Sequence, residues 1–285
     1  MAHLAAIASR DEPELGATVD SLLSSGADVL VVDDGGSASG LPVAVEVIRN
    51  AEPVGCGRAR NQAAARFLEG AWDTFSVHDG HMNFPDGVVQ AMATKARETD
   101  AVCITATTLW ERPGHCGRRT RGWGTTLFWH PERGVDHKWR TKETRPVEEW
   151  GTTPGMIGAA YFMSRSTLKR LTAPRGRVWE CSGVWGYNEQ SLSIKCALLG
   201  IPILVSRDLF SLHLYRKDAH VPGQTRDWWN NRAETWQVLF RPETRGALDA
   251  IAAQHSSLTV ADDIDRPWPV EREREFLAAL EVGGN

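Results

Sequence analysis

Asp28-Val29-Leu30-Val31-Val32-Asp33-Asp34-Gly35-Gly36 is the stretch that sets the fold. A nearly continuous apolar run of this length suits a strand covered on both faces, which is the habit of parallel sheets. The Asp-Asp-Gly-Gly-Ser segment at 33–37 ends it. Upstream, residues 4–8 form a short apolar strand candidate, and 13–24 has helical spacing with Leu15, Val19, Leu22 and Leu23 on one side. Downstream, 45–48, 74–77 and 101–106 read as strands, while 57–68 and 88–97 read as helices. Strands alternating with helices predict an α/β fold with a mostly parallel central sheet flanked by helices. Ligands of such sheets bind beyond the carboxyl ends of the strands. Asp33-Asp34 and Asp79-Gly80-His81 both fall at such ends, so they are expected to share one crevice.

Asp79 and His81 stand two residues apart just past the strand at 74–77, where i and i+2 project to the same side. A carboxylate and an imidazole presented together can hold a divalent cation. Carboxylate alone suits Mg²⁺, and adding imidazole moves the preference toward Mn²⁺, Zn²⁺ and their neighbours. The neighbouring His78 leaves a rival open, a zinc hydrolase built on His78, Asp79 and His81. A loop Asp beside a surface His is the bland alternative.

The 285 residues, 42% apolar and 24% charged, have an ordinary globular composition. No apolar run approaches a membrane span, and the N-terminus reads as a first strand, without the basic lead of a signal peptide. Cys56, Cys103, Cys116, Cys181 and Cys196 are odd in number and never spaced as CxxC. That pattern predicts reduced thiols and a cytoplasmic setting with no membrane partner. The net charge of −4 is uneven: residues 112–145 hold nine Lys/Arg and three Asp/Glu. Three of the twelve tryptophans, Trp123, Trp129 and Trp139, lie in that basic window.

Residues 107–155 are rich in Gly, Pro, Arg and Trp, with one clear strand at 125–129. They are expected to be a long functional insertion or loop system. Regular structure resumes with strands at 157–163 and 203–205 and helices at 166–171, 189–199, 226–240 and 243–253; the last twenty residues read as a packed tail. The expected division is an α/β core at 1–215 and a C-terminal lid loop, helices and tail at 216–285.

Several segments match one pattern in order. They are Ala6-Ile7-Ala8-Ser9-Arg10-Asp11-Glu12, Val31-Val32-Asp33-Asp34, Val47-Ile48-Arg49 followed by Gly55-Cys56-Gly57-Arg58-Ala59-Arg60-Asn61, Asp79-Gly80-His81, Pro154-Gly155-Met156-Ile157-Gly158-Ala159-Ala160, Trp185-Gly186-Tyr187-Asn188-Glu189, Leu212-His213-Leu214-Tyr215-Arg216, and Asn231-Arg232-Ala233-Glu234-Thr235-Trp236. Over roughly residues 4–240 the chain resembles the nucleotide-diphospho-sugar transferases of the GT-A (Rossmann-like) fold, most of all the catalytic domain of polypeptide N-acetylgalactosaminyltransferases. It departs in two places, the first being that the family's Glu falls on Asn188, with Glu189 one residue later. The second is the family's lectin domain, which is not expected in the 45 residues that remain.

The resemblance implies a metal-dependent, retaining transfer of a hexose or N-acetylhexosamine from a UDP-sugar to a hydroxyl. It implies Mn²⁺, with Mg²⁺ as the alternative, on Asp79, His81 and His213, and Arg216 on the diphosphate. Donor contacts are expected from Glu12, Asp33 or Asp34, Arg58, Arg60, Gly158, Ala159 and His220. Glu189 or Asn188 is expected at the donor sugar, with Trp185 shaping its pocket. A carboxylate is the acceptor that uracil N3–H requires, although an Asx turn would use Asp33 or Asp34 as well. The implied acceptor is a protein Ser/Thr. The basic window with Trp123, Trp129 and Trp139 suggests instead a polyanion platform, such as hydroxymethylated pyrimidines in phage-type DNA. A small or lipid-linked glycan is a third acceptor. A protein that binds the donor and has lost transfer is the reading from another class.

Overall fold

Val29, Leu30, Val31 and Val32 are all buried; Leu30 and Val32 face one hydrophobic cluster, and Val29 and Val31 face another. The two-sided burial inferred from the run is therefore real, and each such side chain contributes about 1.5–3 kcal/mol. The fold comes from a computed structural model, which describes residues 2–110, 121–157, 160–173, 175–214 and 224–281. Its strands are β1 (His3–Ser9), β2 (Asp28–Asp34), β3 (Glu46–Asn50), β4 (Thr74–His78), β5 (Met82–Asn83), β6 (Val102–Trp110), β7 (Arg121–Gly122), β8 (Thr125–His130), β9 (Gly134–Trp139), β10 (Trp150–Thr152), β11 (Ala160–Ser164) and β12 (Ile203–Leu214). Its helices are α1 (Leu15–Ser24), α2 (Cys56–Glu69), α3 (Val88–Glu98), α4 (Arg165–Leu171), α5 (Asn188–Leu199), α6 (Gln224–Leu239), α7 (Gly246–Ala252) and α8 (Val270–Glu281).

The main sheet runs β10-β12-β6-β11-β4-β1-β2-β3, with β5 added to β12 and β7 to β6. β1 pairs in parallel with β2 and β4, β2 with β3, and β6 with β12; β11 is antiparallel between β4 and β6. Helices α2, α4 and α5 cover one face, and α1 and α3 the other. A third cluster joins α5 to α6, α7, α8 and the β8–β9 hairpin.

Three regions hold more regular structure than the sequence suggests. Residues 107–155 hold β7, β8, β9 and β10, where one strand is expected. The tail contains α8, anchored by buried Glu273, which accepts from Arg241 N at 2.8 Å and Trp268 Nε1 at 3.0 Å. β12 continues to Leu214, far past the expected 203–205. Its register shifts between Val205 and Phe210, where Ser206 Oγ accepts from the backbone of Asp208 and Leu209. That bulge bends the strand and lets its polar half carry His213 to β5, at His213↔Met82.

Candidate active site

Alternation along β4 sorts its neighbours. Phe75 and Val77 face the α2 side, so Asp79 continues toward that side, while His78 faces the core beneath α3. His78 is buried against Phe84 and Phe162 and bonded to Ser76 Oγ at 2.6 Å. The structure therefore removes His78 from any site with Asp79 and His81, and the zinc-hydrolase reading loses one of its three ligands.

Asp79 and His81 instead meet His213, whose position on β12 lies 132 residues after His81. One ligand atom from each of these three residues lies within 4.8 Å of the other two, the only such His/Cys/Asp/Glu group among the described residues. His81 Nε2 and His213 Nε2 face each other at 3.1 Å, and His213 Nε2 lies 3.4 Å from Asp79 Oδ2. His81 Nδ1 lies 3.0 Å from Glu12 Oε2. A carboxylate there can only accept, so Nδ1 carries the proton and the lone pair of Nε2 points into the cluster. Among the described residues, His213 Nδ1 is buried without a partner. Such a set, with one imidazole oriented by an outer carboxylate, fits a transition-metal cation. Gly80 makes room for it, because a Cβ there would lie 2.8 Å from Glu12 Cγ.

Arg60 ties this cluster to α5. Its buried guanidinium donates to Asp79 Oδ1 at 2.9 Å and Glu189 Oε1 at 3.3 Å. Tyr161 OH on β11 donates to the same Glu189 oxygen at 2.9 Å. Burial raises the Asp79 carboxyl, but the His213 hydrogen bond and the Arg60 charge outweigh it and hold the group well below the usual carboxylate range. The cluster thus presents an ionised carboxylate and two imidazoles beside a second carboxylate, beyond the carboxyl end of β4.

The sequence matches glycosyl transferase family 2 over residues 6–172. The chain belongs to that family. This glycosyltransferase is also similar in fold to a solved structure of GalNAc-T7 with UDP, GalNAc and Mn²⁺, with a TM-score of 0.65 at 14% identity. The match covers 98% of this chain and 57% of that one, so the glycosyltransferase spans little more than half of GalNAc-T7's length. No curated protein matches it by sequence. The GT-A fold expected from the sequence is the one found.

Other expected residues of the glycosyltransferase are placed as follows. Glu189, partly exposed, reaches the cluster through Arg60, whereas Asn188 is buried below α2 with its Oδ1 unpartnered among the described residues. Gly57 is the reason: a Cβ there would sit 2.8 Å from that oxygen. Asp33 and Asp34 are both buried and each accepts three protein donors. Asp33 takes Gly36 N, Ala38 N and Arg49 Nη1; Asp34 takes Asn50 Nδ2, Val54 N and Gly55 N. Asp33 thus holds the turn that follows it, whereas the donors to Asp34 come from the end of β3 and the segment before α2. Arg60, expected at the donor anion, is spent on Asp79 and Glu189, and Arg58 is exposed. Trp185 is 41% exposed. Trp123, Trp129 and Trp139 do not form one stacking platform. Trp123 is buried in the main core, Trp129 packs on the C-terminal helices, and Trp139 lies over Gly122. Gly158, Ala159, Arg216 and His220 lie outside the described residues.

Sequence reasoning missed Tyr161 and the pairing of Glu12 with His81. Tyr161 sits in an apolar strand where nothing local marks a polar role, and Glu12 was expected at the donor.

Proposed function

We propose that the chain transfers a hexose or N-acetylhexosamine from a UDP-sugar to a hydroxyl acceptor, with Mn²⁺ held by Asp79, His81 and His213. The observation that carries this is the convergence of those three side chains from opposite halves of the sheet onto one point. Membership of glycosyl transferase family 2, and the fold shared with a protein solved with UDP, GalNAc and Mn²⁺, support it. When bound, the cation supplies Lewis acidity at the leaving diphosphate.

The chain's own residues supply orientation. Glu12 fixes the His81 tautomer. Arg60 keeps Asp79 ionised and, with Tyr161, leaves Glu189 with its second oxygen unclaimed among the described residues, ready to accept a donor-sugar hydroxyl. Arg216 is assigned to the diphosphate on the sequence resemblance alone, as a planar cation suited to phosphate oxygens. A protein Ser/Thr is the acceptor we favour. The separate placement of Trp123, Trp129 and Trp139 speaks for it over a modified-DNA acceptor, which a shared stacking platform would serve.

The test is turnover of UDP-sugars with Mn²⁺, with and without His213→Ala. We expect His213→Ala to lower turnover more than the roughly hundredfold typical of losing an outer partner. Full turnover by that variant would take His213 out of the metal site.

A further inference from the structure

Among the described residues, only Asp11 and Tyr187 combine a side chain with a left-handed backbone, and Tyr187 has φ 63°. For a bulky side chain that conformation is an outlier. It persists only where the surroundings over-determine it. Tyr187 is buried, and its hydroxyl donates to Val135 O on β9 at 2.8 Å and accepts from Trp236 Nε1 on α6 at 3.0 Å. Trp228 and Trp236 meet its ring edge to face, and Arg232 Cζ lies 4.7 Å from its centroid. All of these partners belong to α6 or to the β8–β9 hairpin.

The residues just before Tyr187 are held by the same helix. Asn231 Nδ2 donates to Trp185 O at 3.0 Å and Gly186 O at 2.8 Å, and its Oδ1 accepts from Gly183 N at 2.6 Å. Glu234 Oε2 accepts from Ser182 N at 2.8 Å. Asn231 and Glu234 are three residues apart and so share one face of α6. On its other side this loop lies against the start of α2, where Cys56 N donates to Val184 O at 3.2 Å. Tyr187 is the N-cap of α5, and its carbonyl accepts from Ser191 N at 2.9 Å, as the first bond of a helix requires. Glu189 stands in that first turn, two residues on. The way the turn is wound therefore decides where its carboxylate points, which is toward Arg60 and Tyr161, at 3.3 and 2.9 Å.

We propose that Tyr187 is the positioning residue of Glu189: its hydroxyl pins the left-handed turn that aims the Glu189 carboxylate at the donor sugar. Through that one side chain, α6 and the hairpin act on the sugar side of the site. Asp79, His81 and His213 are carried by the end of β4 and by β12, so metal binding is indifferent to the pin. The catalytic consequence rests on the reading of Glu189 as a donor-sugar ligand given above.

The experiment uses the full chain with Mn²⁺. Tyr187→Phe keeps the ring and withdraws only the hydroxyl; Trp236→Phe withdraws only the indole donor and serves as the second variant. Amide hydrogen exchange is read on fragments covering 188–193, with 74–78 as the reference. Turnover is hydrolysis of UDP-glucose and of UDP-N-acetylgalactosamine. In Tyr187→Phe we expect exchange over 188–193 to rise about tenfold while 74–78 stays as it was. Its kcat/KM should fall by about tenfold with Mn²⁺ affinity unchanged, and Trp236→Phe should show the same pattern more weakly. Tyr187→Phe combined with Glu189→Ala should be no slower than Glu189→Ala alone, because a residue that acts through Glu189 then has nothing to act on. Unchanged exchange over 188–193, a rise shared equally by 74–78, or the full further fall in the double variant would each overturn the proposal. Faster exchange over 188–193 in a chain that hydrolyses neither nucleotide sugar, or whose turnover survives Glu189→Ala in full, would uphold the pin and sink only the donor-sugar role of Glu189.

Discussion

Single residues decide how the metal cluster is presented. Glu12 touches no proposed ligand atom, yet its carboxylate sets which nitrogen of His81 carries the proton. Glu12→Gln should therefore weaken Mn²⁺ binding by about ten- to hundredfold while leaving the fold intact. Calorimetric titration with Mn²⁺ reads this directly, and an unchanged affinity would show that His81 needs no orienting partner. Gly80→Ala should act through the same contact, since its methyl would push Glu12 away from His81. A Gly80→Ala protein that melts normally but binds Mn²⁺ as weakly as Glu12→Gln is the expected signature. The Asp-x-His pair was legible in the sequence because both residues sit on one local segment with a fixed period. Glu12 and Tyr161 were not, because each finds its partner across the sheet and no local spacing encodes that.

At the scale of elements, β1 and β4 carry two buried imidazoles. Burial lowers the pKa of His3 to about 4 and of His78 to about 3. In the unfolded chain both take up protons near the ordinary value of about 6.5, so the unfolded state binds more protons below that pH. Stability should rise with pH from about 4 to 6.5, by up to about 1.4 kcal/mol per pH unit for each histidine. Urea melts across that range test this, and a flat profile would mean that one or both rings are charged in the fold. At the other end of the chain, α8 depends on Glu273. Glu273→Ala strips Arg241, Thr244 and Trp268 of a buried partner and should cost about 3 kcal/mol in the same melts. The helices and strands of the first half were legible because their apolar periods are strong. The second half of β12 was not, because Ser206, Arg207 and Asp208 break the apolar pattern just where the bulge bends the strand. The partners of Asp33 and Asp34 were not legible for a related reason: they come from 35–38, the end of β3 and 54–55, whose path only the folded sheet defines.

For the whole molecule, the proposed ligands join the end of β4 to the end of β12, across most of the main sheet's sequence. Mn²⁺ alone should therefore stabilise the full chain, by about 2.7 kcal/mol at a hundredfold excess over its dissociation constant. Thermal melts with and without Mn²⁺ should show the rise in the native chain and none in His213→Ala. An equal rise in both would place the cation elsewhere. The fold was legible at this scale because parallel α/β architecture leaves its mark on every strand, while the acceptor side was not, because tryptophan and arginine counts say nothing about which rings are buried. His78 and Asp79 sit in opposite surroundings. They are adjacent, yet one belongs among phenylalanines and the other beside a guanidinium. A frame error of one residue in β4 would drop a carboxylate among Phe84 and Phe162 and strand Arg60 without its anion, so mispaired chains are rejected by charge before they can persist.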